Sequence, residues 1–228
     1  MTRTIASCAV LLNVTARIAK NFACFRSKQG WPYAVRARDV EPELRSQVHW
    51  LLDGQDKEGR GILVYNAKHV VPCLRKNQSV TKMQMMGSYL MERAIRREHV
   101  VANGMVFVVD CAGVDLSITT CFGIADVKRG IMMWKDAFPC KCKKVYLLNA
   151  PFLLSGIIKL ASKMLSSKIQ ERIVVVDSAK SGLFEDIAPA ALPEELGGVV
   201  KMEWDAFVDS CLGEEMGDAD EENEAILL

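Results

Sequence analysis

Four short runs of β-branched and aliphatic residues constrain this chain more than any other feature: Ile62-Leu-Val-Tyr65, Met105-Val-Phe-Val-Val109, Val145-Tyr-Leu-Leu148 and Ile173-Val-Val-Val176. Each has strand length. Met105 to Val109 shows no polar alternation, which indicates a strand covered on both faces. Stretches with helical spacing separate the runs. Thr81 to Arg97 puts Met83, Met86, Leu90, Met91 and Ala94 on one side, Ile124 to Phe138 is closed by Pro139, and Phe152 to Leu165 is apolar nearly all round. Strands alternating with helices of about 15 residues predict an α/β domain with a mainly parallel sheet.

The remaining segments are expected as follows. Leu11, Val14, Ile18 and Phe22 suggest one helix that ends before Gly30-Trp31-Pro32. Glu43 to Leu52 reads as a short helix ending at Asp53-Gly54, and Asp53 to Arg60 as a polar turn. Phe184 to Ala191 reads as a further short helix. Glu214 to Leu228 holds seven acids and no base, the composition of a solvated tail. The expected divisions are 1–45, an N-terminal segment that is partly helical; 46–212, the α/β domain; and 213–228, the acidic tail.

Composition narrows the function classes. A net charge of +1 argues against nucleic-acid binding, which calls for a strongly basic domain. Eight cysteines without a CxxC pair or a regular framework fit free thiols in a reducing, cytoplasmic setting. Cys140 and Cys142 lack a second Cys/His pair, so no metal site is expected. No run of 18 uninterrupted apolar residues predicts a transmembrane helix.

Enzyme signatures fail in turn. The chain has no GxGxxG after a strand, no GxxxxGK[ST] and no GxSxG elbow. In an α/β sheet the chemistry sits at the carboxyl ends of the strands. Those ends carry Asp110-Cys-Ala-Gly113, Asn149-Ala-Pro151 and Asp177-Ser178. Asp110 reads as a turn cap rather than a base, and Asn149 as a residue that satisfies free amides ahead of Pro151. His49, His69 and His99 read as turn or helix residues, none near a strand end with a matching nucleophile. No catalytic residue is expected.

The strand ends also carry a resemblance. Asp56-x-x-Gly59-Arg60, Asp110-x-x-Gly113, Phe138-Pro139, Asn149-x-Pro151 and Leu192-Pro-Glu-Glu-Leu-Gly-Gly198, in that order, resemble the CRAL-TRIO lipid-binding family over roughly residues 46–205. The similarity is greatest to the α-tocopherol transfer and retinaldehyde-binding branch. The resemblance implies a sheet that floors an internal lipid pocket and an apolar helix that gates it. The gate would be the stretch with Phe152, Leu154, Ile157, Ile158 and Leu165. Positions matching the family's cavity are Ser88, Met91, Met105, Val109, Leu116, Met133, Trp134 and Val145. Positions matching its phosphoinositide contacts are Lys141, Lys143, Lys168 and Arg172. Cys140 and Ile169 depart from the pattern that holds a phosphatidylinositol headgroup, which points to a less polar cargo.

The resemblance thus implies a carrier with no cofactor beyond its bound hydrophobic lipid, docking transiently on phosphoinositide membranes from the cytoplasm. Two other readings stand beside it. One is a non-catalytic lipid-sensing scaffold that recruits a protein partner through the acidic tail. The other is an α/β enzyme using Asp110 or Asp177.

Overall fold

The computed structural model describes residues 24–32, 35–76, 79–115, 117–133, 140–151, 165–176 and 181–214. Five strands form one sheet in sequential order: β1 (His49–Gln55), β2 (Gly61–Asn66), β3 (Met105–Asp110), β4 (Cys142–Leu148) and β5 (Ile173–Val176). β1 runs antiparallel to β2, and the other pairings are parallel. The expected architecture is therefore the observed one, with β1 added. Glu43 to Leu52 is not a helix. One helical turn, Glu41–Leu44, gives way at Gln47 (φ +63°) to strand β1.

A tight hairpin joins β1 to β2. The Asp56 carboxylate accepts from the backbone amides of Glu58 (2.9 Å) and Arg60 (2.8 Å) and from Arg60 Nε. Gly59 closes the turn at φ +72°, a conformation that costs glycine little. Both side chains are out of water, Asp56 at 0 % and Arg60 at 5 % exposure.

Helices cover the two faces. On one lies α1 (Val80–Ile95), started by the Ser79 hydroxyl accepting from Lys82 N at 3.1 Å. It buries Met83, Met86, Leu90 and Ala94, the spacing expected of it. α2 (Glu98–Asn103) ends at Gly104 (φ +86°, ψ −160°), which turns the chain into β3. α3 (Ile124–Met132) follows. α4 (Ser167–Gln170) is a single turn before β5. The other face packs against Leu183 and Ile187 from α5 (Ser181–Asp186) and the turn beyond it, with Leu192 and Leu196. α5 is shorter than the expected 184–191 helix, because Pro189 begins a separate 3₁₀ turn, Pro189–Ala191. A last helix, α6, spans 204–214.

The described residues before 46 contribute to this core. Phe25, Trp31, Val35, Ala37, Val40 and Leu44 are buried with α1 in one cluster that also takes Val208 and Cys211 from α6. Gly213 and Glu214 still belong to α6, and Glu214 pairs with Arg93 of α1 at 2.6 Å. The helix expected around Leu11–Phe22, the stretch 134–138, the gate stretch 152–164 and the tail after 214 lie outside the described residues. Among the described residues no helix is long and apolar enough to cross a membrane.

Candidate functional site

The α1 face of the sheet carries two unbroken rows of side chains, read directly from the register. One row is Leu51, Leu63, Phe107, Val145 and Ile173; the next, toward the carboxyl ends of the parallel strands, is His49, Tyr65, Val109, Leu147 and Val175. Nine of these ten residues are aliphatic or aromatic, so the face offers a broad apolar floor. The second row is buried at one end, with His49 at 6 % exposure, and open at the other, with Val175 at 69 %. Val175 lies on β5, the edge strand of the sheet, and is the exposed end of the row.

The antiparallel edge strand explains the placement of His49. β1 runs against β2, so its first residue sits beside Tyr65, near the end of β2. His49 therefore reaches the carboxyl edge, where α/β sheets hold ligands. The expectation that His49 is a turn or helix residue is corrected on this ground. Its ring meets that of Tyr65 edge-on at 4.8 Å.

A cavity of about 260 Å³ opens over this end of the floor. His49 and Tyr65 line it from the sheet, Met83, Gln84 and Gly87 from α1, and Phe122, Asp126, Val127, Gly130, Ile131 and Met133 from α3 and its flanks. Gly87 widens it: a Cβ there would stand 3.6 Å from His49 Nε2 and 3.8 Å from Met133 Cε. The polar groups of the far wall satisfy one another. Gln84 Nε2 donates to the Asp126 carbonyl at 2.8 Å. Arg129 Nη1 donates to Gln84 Oε1 and Asp126 Oδ1, each at 3.1 Å.

Of the residues that the sequence nominated for the pocket, Ser88 and Met91 of α1, Met105 and Val109 of β3, Val145 of β4 and Met133 all lie on this side of the sheet. Met133 lines the cavity. Met91 and Met105 are fully buried in the core around it. Ser88 is fully buried, and its hydroxyl accepts from Arg26 Nη2 at 3.1 Å, which ties the N-terminal segment to α1. Leu116 and Trp134 lie outside the described residues, as do Phe152, Leu154, Ile157 and Ile158 of the expected gate; Leu165 is described and half-buried. His49, Gly87 and Phe122 were not anticipated. The only signal for His49 was its position in a run that proves to be a strand.

Asp110 holds its turn as expected. Its Oδ1 accepts from Ala112 N at 3.0 Å and from Asn149 Nδ2 at 2.7 Å. Asn149 stands at φ +51°, and its side chain is spent on this clamp between β3 and β4.

The four nominated cations gather at the opposite edge. Lys141 and Lys143 stand at the start of β4, where Cys142 and Lys143 together oppose Met105 in a β-bulge. Lys168 sits in α4 and Arg172 just before β5. Arg172 Nη1 donates to the Cys142 carbonyl, which joins the two strand starts. None of the four pairs with a carboxylate among the described residues, whereas Arg45, Arg60, Arg93, Arg97, Arg129 and Lys144 all do. No group of three His, Cys, Asp or Glu residues that could hold a metal occurs among the described residues.

Burial of His49 has a pH consequence. Desolvation pulls its pKa from 6.5 down to about 3, so the folded protein holds a neutral imidazole. As pH falls, the unfolded chain takes the proton first. The stability that the neutral ring contributes is complete above about pH 6.5 and is lost as pH falls toward 3. Going from about pH 7.5 to about 5.5 should cost the native chain about 1.4 kcal/mol more than it costs a His49→Gln variant. Urea unfolding at the two pH values measures this difference. Equal losses in the two proteins would show that the ring titrates normally.

An apolar floor crossing every strand, with a cavity at its carboxyl edge, defines an α/β domain shaped to enclose a hydrophobic molecule. The comparisons agree. The chain belongs to the CRAL/TRIO domain family, whose pattern matches residues 45–198, and that domain is typically a non-catalytic lipid-binding fold. The alpha-tocopherol transfer protein-like protein of Homo sapiens is 32 % identical over 175 residues, covering 75 % of this chain and 50 % of that protein. Tyrosine-protein phosphatase non-receptor type 9 of Mus musculus is 28 % identical over 191 residues, covering 82 % of this chain and 31 % of that protein. The chain thus spans from 31 % to 50 % of the length of these curated relatives. The crystal structure of Sfh5 superposes with a TM-score of 0.49 at 18 % identity, over 65 % of this chain and 56 % of that one.

Proposed function

We propose that the chain holds one small hydrophobic lipid on the α1 face and transfers or presents it at phosphoinositide-containing membranes. The observation that carries this reading is the pair of apolar rows running from the buried cavity to the open end at Val175. The cavity of about 260 Å³ is just below the usual range for small-molecule sites, roughly 300–1,000 Å³, so the cargo would also lie along the apolar rows outside it. The proposed cargo is of the tocopherol or retinoid kind, a greasy body with little polar surface.

Docking would use Lys141, Lys143, Lys168 and Arg172, whose side chains pair with no carboxylate among the described residues. Each cation near an anionic surface contributes about 1 kcal/mol. Together they favour transient attachment from the cytoplasm rather than anchoring. Lys141→Gln, Lys143→Gln and Lys168→Gln combined should remove about 3 kcal/mol, roughly a hundredfold in partitioning. Arg172 is left in place because it also joins β4 to β5. Co-sedimentation with vesicles with and without phosphatidylinositol bisphosphate measures the loss. Unchanged sedimentation would move the docking surface elsewhere.

A second reading follows from the length of the relatives. The match to the phosphatase covers 31 % of that protein, so a domain of this kind is also found as a minor part of a longer chain. In that setting it would sense lipid and control location, and residues 213–228 would recruit a protein partner.

A further inference from the structure

We infer that α3 is a movable wall of the cavity, latched by Arg129, and that the cargo passes between α1 and α3. The inference rests on the reading of the cavity as a lipid site. The two helices that wall the cavity are held very differently. α1 buries nine of its sixteen residues. None of the described side chains of α3, Ala125 to Met132, is buried. Val127, Gly130 and Ile131 line the cavity. The apolar stripe that would fix a surface helix to a core therefore borders the cavity instead. Polar contacts at the rim hold α3 in place. Gln84 Nε2 donates to the Asp126 carbonyl at 2.8 Å, and Arg129 Nη1 donates to Gln84 Oε1 and Asp126 Oδ1, each at 3.1 Å. Arg129 Nε donates to Gln29 Oε1 at 3.1 Å, so one side chain ties α3 to α1 and to the N-terminal segment.

Such a latch opens at low cost. The Arg129 and Asp126 side chains are 23 % and 25 % exposed, so water replaces their bonds as the wall lifts. A molecule in the cavity changes the balance. It adds apolar contact to Val127 and Ile131 that only the closed wall offers, so loading holds α3 down. By the same linkage, whatever opens the wall weakens the hold on the cargo. The path stands at the β1–β2 end of the apolar rows, whereas Val175 stands at the β5 end.

The test follows amide hydrogen exchange in the full chain, lipid-free and loaded with a fluorescent tocopherol. In the lipid-free chain, amides 128–132 of α3 should exchange well ahead of amides 84–91 of α1, and loading should slow them. Arg129→Met should speed exchange in α3 and leave α1 and the sheet as they were. It should also raise the rate of lipid release to acceptor vesicles by about tenfold, with the same amount bound at saturation. Lys128→Gln, exposed on the same helix, should change neither quantity. Exchange in native α3 as slow as in α1, or a native release rate in Arg129→Met, overturns the inference. Faster exchange throughout the variant also overturns it, because Arg129 would then support the whole fold. A chain that takes up no lipid while α3 still exchanges fast sinks the lipid-site reading, and the cargo path with it. Normal uptake with an unchanged release rate sinks the latch alone.

Discussion

Gly104→Ala should lose about 4 kcal/mol of stability, a large part of what a domain has. Two causes act at once. The residue sits at φ +86° and ψ −160°, a region open essentially to glycine alone. A Cβ there would stand 2.4 Å from the Lys141 carbonyl oxygen and 3.2 Å from Lys143 Cγ. The first contact is with backbone that the sheet holds, since Met105 N donates to that same carbonyl at 2.9 Å. The strand start bearing Lys141 and Lys143 must move, so vesicle binding should weaken along with stability. Gly182→Ala is the control. Its Cβ meets nothing within 4 Å among the described residues, and helix α5 should gain slightly. Urea midpoints of the two variants should separate widely. Similar midpoints would mean that the turn into β3 relaxes at no cost.

Asp56→Ala should cost about 3 kcal/mol, the low end of what breaking a buried pair costs. Arg60 would keep a charge at 5 % exposure and lose its nearest carboxylate. It would retain Glu58 at 3.2 Å and Asp186 at 3.8 Å, which limits the damage. The hairpin also loses the acceptor for two backbone amides. Asp53→Ala is the contrast. Its pair with Arg97, at 2.7 Å, has the carboxylate 97 % exposed, and solvent-exposed pairs contribute about 1 kcal/mol or less. Equal losses from the two substitutions would contradict the importance assigned to burial.

The parallel strands were legible because β2 to β5 are runs of β-branched residues flanked by turn signals. β1 was not. Leu44, Val48, Leu51 and Leu52 fall at helical spacing, yet Leu51 packs on the α1 face while Trp50 and Leu52 pack on the other. A strand buried on both faces has no alternation to read. Misreading β1 also hid His49, because its neighbour Tyr65 is 16 positions away and only the hairpin register joins them. Ser88 shows the converse limit. Only the resemblance nominated it as a pocket contact, and nothing local announced that Arg26, 62 residues earlier, uses its hydroxyl. The cations at 141, 143, 168 and 172 were legible only through the resemblance. Their separation in sequence closes up because two parallel strands start side by side.

The central claim is that the α1 face holds a lipid that can leave it at a phosphoinositide surface. The most direct measurement incubates the full chain with donor vesicles carrying a fluorescent tocopherol, adds acceptor vesicles, and follows transfer with and without phosphatidylinositol bisphosphate in the acceptors. The account predicts one labelled lipid per chain on the re-isolated protein and faster delivery to the phosphoinositide acceptors. A protein that emerges without lipid, and that leaves the transfer rate at its spontaneous value, would contradict it.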